Sequence, residues 1–208
     1  MRESCTGVRA NRNSLGSAGD TPATTGAFTL IELLVVIAII IVLAGLILST
    51  VGYVQKKGAR SRAETEIAAM SAACESYKAD NGIYPRNSDT DSLNAQASGD
   101  PTTYQAASLY LYNSLFGATN GSRTPDTGAR SYFVFKPNML SPTDQTQNVQ
   151  YIRDPFGNSY GYSTANQADP ITPKGYNPTF DLWSTAGVAP SPTPAPPATQ
   201  QDLWIKNW

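Results

Sequence analysis

FTLIELLVVIAIIIVLAGLIL, residues 28–48, places a single carboxylate, Glu32, at the head of an otherwise apolar run. From Leu33 to Leu48 no side chain is polar, and the 23 residues from Leu33 to Gln55 carry no charge. At roughly 1.5 Å of rise per residue that length is about enough to cross a bilayer as a helix. The β-branched stretch VVIAIIIV, 35–42, would also suit a buried strand, but its length and the absence of turn residues favour a helix in lipid. A carboxylate in such a helix costs about 2.5–3.5 kcal/mol at mid-bilayer and less near the interface, so Glu32 needs a partner. Cutting the chain between Ala27 and Phe28 would supply one, because the new α-amino group would stand four residues before Glu32 at the same helix end. Each copy would then carry one positive and one negative group in apolar surroundings, a pattern suited to staggered, side-by-side assembly.

Beyond the run the periodicity becomes amphipathic. Ala59, Ala63, Ile67, Met70, Cys74 and Tyr77 recur at helical spacing, while Arg60, Arg62, Glu64, Glu66, Glu75 and Lys78 fall on the other face. One helix is therefore expected from about Thr29 to Asp80, its first half in lipid and its second half the spine of a soluble domain. DNG at 80–82 ends it, with Gly82 free to turn left-handed and Pro85 blocking resumption. Gly45 and Gly52 are places where the helix would loosen on leaving lipid. A short helix is expected over YQAASLYLYNSLFG, 104–117, and strands at SYFVFK (131–136), SYGYST (159–164) and FDLWST (180–185). DPFGNSYGY, 154–162, reads as a turn begun by Asp154 and Pro155, with positive φ at Gly157 and Asn158 and its tyrosines on one sheet face. APSPTPAPPATQQ, 189–201, excludes helix and strand and reads as an extended polyproline-type loop. The expected fold is α+β: a long N-terminal helix packed by its second half on a small antiparallel sheet.

Residues 1–27 are polar, rich in Gly, Ser and Thr, and show no apolar periodicity, so they read as a leader. The sequence after Leu48 offers no small-x-small cleavage site, which sets the break before the apolar run. Three segments follow: a leader at 1–27, a transmembrane and assembly helix at 28–54, and a soluble head at 55–208. Of the two cysteines only Cys74 lies outside the leader, so no internal disulfide is expected, and Cys74 reads as a small buried residue. Histidine is absent, and no nucleophile motif, phosphate loop or CxxC pair occurs, which argues against an enzyme. The 15 Lys and Arg are scattered and matched by 16 Asp and Glu, which argues against nucleic acid as the main partner. Lys56, Lys57, Arg60 and Arg62 read as a solvated helix face or a contact with lipid headgroups, and Trp183, Trp204 and Trp208 as core and edge of the head.

GAFTLIELLVVIAII, 26–40, resembles the processing signal of type IV pilins and type II secretion pseudopilins, in which Phe and Glu stand at the first and fifth positions after the cut. YKADNGIYP (77–85), DPFGNSYGY (154–162), FDLWSTAG (180–187) and DLWIKNW (202–208) look like successive landmarks of the major, G-type pseudopilin. The resemblance implies a prepilin peptidase that cuts between Ala27 and Phe28 and N-methylates Phe28, with Glu32 as the assembly residue. Ala27 intervenes after Gly26, and cutting after Gly26 would move Glu32 to the sixth position. The implied product is an inner-membrane, single-pass subunit whose head faces the periplasm and which joins copies of itself, other pseudopilins and an assembly platform in a filament supporting secretion. Since the leader carries net charge +1, this orientation comes from the resemblance. The alternative is a minor or adhesive pilin whose head binds DNA, sugar or secreted cargo. The G-type family commonly binds calcium in the loop before its C-terminal NW. Here Val188 stands where the family tends to have Asp, and of the acidic pair near the end only Asp202 remains, with Trp204 at the other position.

Overall fold

The computed structural model describes residues 28–96, 99–172, 174–188 and 201–208. The expected leader, including Ala27, and the Pro-rich segment up to residue 200 lie outside the described residues. The chain divides after Leu48 into two compact units.

Helix α1 (Leu30–Asn81) begins in the first unit, where every described residue from 28 to 47 is exposed. Among the described residues it is the one helix long and apolar enough to cross a membrane.

The second unit opens with the remainder of α1, where Ala-rich sequence replaces the β-branched run and favours helix in water. Ala63, Ile67, Met70 and Cys74 are buried as their spacing implies, joined by Ala73. Gly82 closes the helix at φ 78°, its amide donating to the Lys78 carbonyl at 2.8 Å. Three shorter helices follow: α2 (Ser88–Ser92), α3 (Gln105–Phe116) and α4 (Ala165–Ala168). Asn87 caps α2 in a capping box with Thr90, and Gly117 ends α3 at φ 76°.

Two antiparallel sheets complete the unit. Strands β1 (Leu140–Ser141) and β2 (Tyr151–Ile152) form a small pair. Strands β3 (Gly161–Ser163), β4 (Asp181–Ser184) and β5 (Ile205–Lys206) form a three-stranded sheet with β4 central. One core cluster unites Ile67, Met70 and Cys74 of α1 with Leu111 and Leu115 of α3 and with Tyr162, Leu182 and Ile205 of the sheet. A second, aromatic cluster contains Ala95, Tyr104, Trp183 and Trp204. Mixed helix and antiparallel sheet around one long helix is the α+β arrangement expected.

Two local expectations are corrected. SYFVFK, 131–136, is not a strand: the amides of Tyr132 and Phe133 both donate to the Leu115 carbonyl, at 2.7 and 3.1 Å. The segment thus satisfies an orphan carbonyl at the C-terminal end of α3, and Phe135 packs against Tyr112 at 5.1 Å between ring centroids. In the turn after Asp154, Gly157 takes φ 99° but Asn158 does not have positive φ. The Asn158 amide instead donates to Asp154 Oδ1 at 2.8 Å, so the carboxylate and the positive φ of Gly157 together shape that turn.

Candidate functional site

Thr29 and Glu32 form a cap at the head of α1. The Thr29 carbonyl accepts from the Leu33 amide at 3.2 Å, the first bond of the helix. The Thr29 hydroxyl accepts from the Glu32 amide at 3.3 Å and faces Glu32 Oε2 at 3.5 Å. This is a Thr-x-x-Glu variant of the capping box, and it sets a negative charge where the helix dipole favours one. The Thr-x-x-Glu spacing that makes this cap is legible in the sequence itself. Phe28, immediately outside the cap, is 81% exposed.

The basic face divides in two. Arg60 Nη1 donates to the Leu203 carbonyl at 2.8 Å and Nη2 to that of Trp204 at 3.5 Å, while its Nε pairs with Glu64 at 3.3 Å. Arg62 pairs with Glu66 at 2.7 Å, and Glu66 also accepts from the buried Tyr160 hydroxyl at 2.7 Å. Arg60 and Glu66 thus fasten α1 to the rest of the head, and Arg62 pairs with Glu66 along the helix, so neither arginine serves a free solvated face. Lys56 and Lys57 are exposed and form no ion pair among the described residues.

Asp202 is exposed, and among the described residues no three His, Cys, Asp or Glu side chains gather to hold a metal ion. Trp204, at the position of the second expected acid, is buried and stacks on Trp183 at 6.3 Å. Calcium requires several hard oxygen ligands, and the residues described around Asp202 do not fit it. Trp183 and Trp204 are core, and Trp208 stacks on Tyr176 at 4.5 Å at the edge of the same cluster.

The buried ionisable groups are structural. Burial pushes the Cys74 thiol far above its usual range, which keeps it unreactive. Asp154 Oδ1 accepts from the amides of Phe156 and Asn158, and Oδ2 from the Ser184 hydroxyl at 2.5 Å. Asp181 accepts from the amides of Tyr176 and Asn177 at 2.9 and 2.8 Å. Burial raises both carboxyls above the ordinary value, and the hydrogen bonds offset only part of the rise.

No family model, no curated protein and no solved structure matches the chain.

Proposed function

We propose that the chain is a non-enzymatic subunit of a type II secretion pseudopilus or type IV pilus-like filament. A prepilin peptidase cuts between Ala27 and Phe28 and methylates Phe28, and the apolar helix holds the subunit in the inner membrane until it joins a filament. The observation that carries this reading is one carboxylate, Glu32, in the first turn of a helix whose described residues are all exposed up to Ile47, and followed by 23 uncharged residues. Those side chains require lipid or neighbouring helices around them. A new α-amino group on Phe28 would lie one residue before the cap, within reach of Glu32 of an adjacent copy. In this scheme the head remains in the periplasm or on the filament surface.

The test is the intact mass and N-terminal sequence of the protein from membranes of cells with and without prepilin peptidase. A chain beginning at methylated Phe28 only when the peptidase is present supports the proposal. A chain keeping residues 1–27 in both cells overturns it. Copy number then decides the subunit's role: an abundant protein that polymerises alone is a major subunit, and a scarce one at filament tips is a minor or adhesive pilin.

A further inference from the structure

We propose that the turn of α1 around Lys56, together with Leu203, is a docking face for anionic lipid headgroups. This rests on the reading that the apolar part of α1 lies in a bilayer, and it adds the lipid chemistry that part selects.

Lys56 and Lys57 lie three and four residues after Tyr53 and four and three before Arg60, so the four form one stripe on the helix. Tyr53 is 71% exposed, and among the described residues neither lysine is engaged in an ion pair. Arg60 extends the stripe to a second segment, because its bond to the Leu203 carbonyl holds Leu203, 53% exposed, beside the same turn. Two ammonium groups without an ion pair among the described residues thus lie between exposed Tyr53 on one side and the exposed Leu203 segment held by Arg60 on the other.

The length of the uncharged run places this face. The 23 residues from Leu33 to Gln55 span roughly 34 Å as helix, slightly more than the roughly 30 Å of a hydrocarbon core. Tyr53 then falls at the edge of the hydrocarbon, where amphipathic rings concentrate, and Lys56 and Lys57 fall among the headgroups. The charge selects the headgroup sign. Between Leu33 and Ala63 there are four cations and no acid; Arg60 pairs with Glu64 and Arg62 with Glu66, which leaves Lys56 and Lys57 as the two without an ion pair among the described residues. Asp202 adjoins Leu203, and Glu64 lies beyond Arg60, so the acids nearby flank the lysines rather than neutralise them. Two lysines near an anionic surface attract it within a Debye length, and the apolar pair anchors the contact.

The full chain is reconstituted into phosphatidylcholine vesicles containing trace spin-labelled phosphatidylglycerol or spin-labelled phosphatidylcholine, and the motionally restricted fraction of each label is read by electron paramagnetic resonance. The expected result is a preference of about threefold or more for the anionic label at low salt, lost at high salt. The double variant Lys56→Gln/Lys57→Gln should bring the ratio close to unity, whereas Lys136→Gln, on an exposed part of the head, should leave it unchanged. Glutamine keeps helix propensity, so the variant leaves α1 intact. Equal restriction of both labels in the native chain overturns the proposal, as does a preference that survives the double variant. No restricted lipid of either kind overturns the bilayer reading as well.

Discussion

Glu32 has two physical roles available to it, and one substitution separates them. As the third residue of α1 it completes a cap with Thr29, a task that Glu and Gln perform alike. As a charge partner between subunits it must be ionised, which Gln cannot imitate. Glu32→Gln should therefore keep the helix start and lose assembly, measured as the fraction of subunit recovered in sheared filaments. Glu32→Ala should lose both, and recovery of assembly by Gln would assign the residue to capping alone. Thr29→Ala should weaken the cap by about 1 kcal/mol and fray the first turn, seen as faster amide exchange there. At the other end of the chemistry stand Asp154 and Asp181, whose folded carboxyls titrate above the unfolded value because they are buried without a cation. A raised carboxyl favours the folded state fully below its unfolded pKa and loses that contribution as pH rises through the folded pKa. Denaturant unfolding of the native chain and of Asp154→Asn, compared at pH 7 and near pH 4, should show the native chain gaining relative to the variant at the lower pH. An unchanged difference would mean that the hydrogen bonds from Phe156, Asn158 and Ser184 fully offset burial.

Strands β3 and β4 are held in register by a missing side chain. Gly161 pairs with Trp183, and a Cβ built on Gly161 would lie 2.2 Å from the indole ring. Trp183 is itself fully buried and stacked on Trp204, so it has nowhere to retreat. Gly161→Ala should cost roughly 1–3 kcal/mol by overpacking and blue-shift or broaden the buried tryptophan fluorescence, read by chemical denaturation with fluorescence detection. By contrast, Gly45→Ala and Gly52→Ala meet nothing within 4 Å, so each should favour helix by about 1 kcal/mol. If assembly needs the helix to loosen there, the double variant will polymerise poorly despite a stronger helix. These elements also show what a one-dimensional reading captures. Helix α1 was legible because its apolar positions repeat at helical spacing over many turns, and β3 and β4 because aromatic and β-branched residues alternate between turn signals. SYFVFK carried the same local signal, yet the Leu115 carbonyl captured its amides, a contact set by tertiary packing. Strands β1, β2 and β5 are two residues each, too short for any periodicity to mark them. At the candidate site, the Thr29–Glu32 pair was written in the sequence, while the contact of Arg60 with Leu203 joins residues 143 apart and only the fold brings them together.

The buried core begins at Ala63, and every residue before Ala59 whose burial is described is exposed. Fourteen large aliphatic side chains between Leu30 and Ile47 are exposed. Burying them outside the chain is worth on the order of 20 kcal/mol, more than the whole stability of an ordinary domain. The apolar helix and the head are for this reason expected to be separable: one needs lipid or other subunits, the other needs only itself. A chain of residues 55–208 should be soluble without detergent, sediment as a monomer and unfold in one cooperative step. It keeps Arg60, Arg62 and Glu66, hence the bonds that fasten α1 to the Leu203 and Trp204 carbonyls and to Tyr160. Its melting temperature should lie within a few degrees of that of the head in the full detergent-solubilised chain, compared by near-ultraviolet circular dichroism. The full chain freed of detergent should instead form large particles. A truncated head that aggregates or loses its near-ultraviolet signal would show that residues 28–54 support the fold directly, and the division of labour between anchor and head would have to be abandoned. A head that folds alone while Glu32→Gln abolishes assembly of the full chain would locate the assembly information within the first turns of α1.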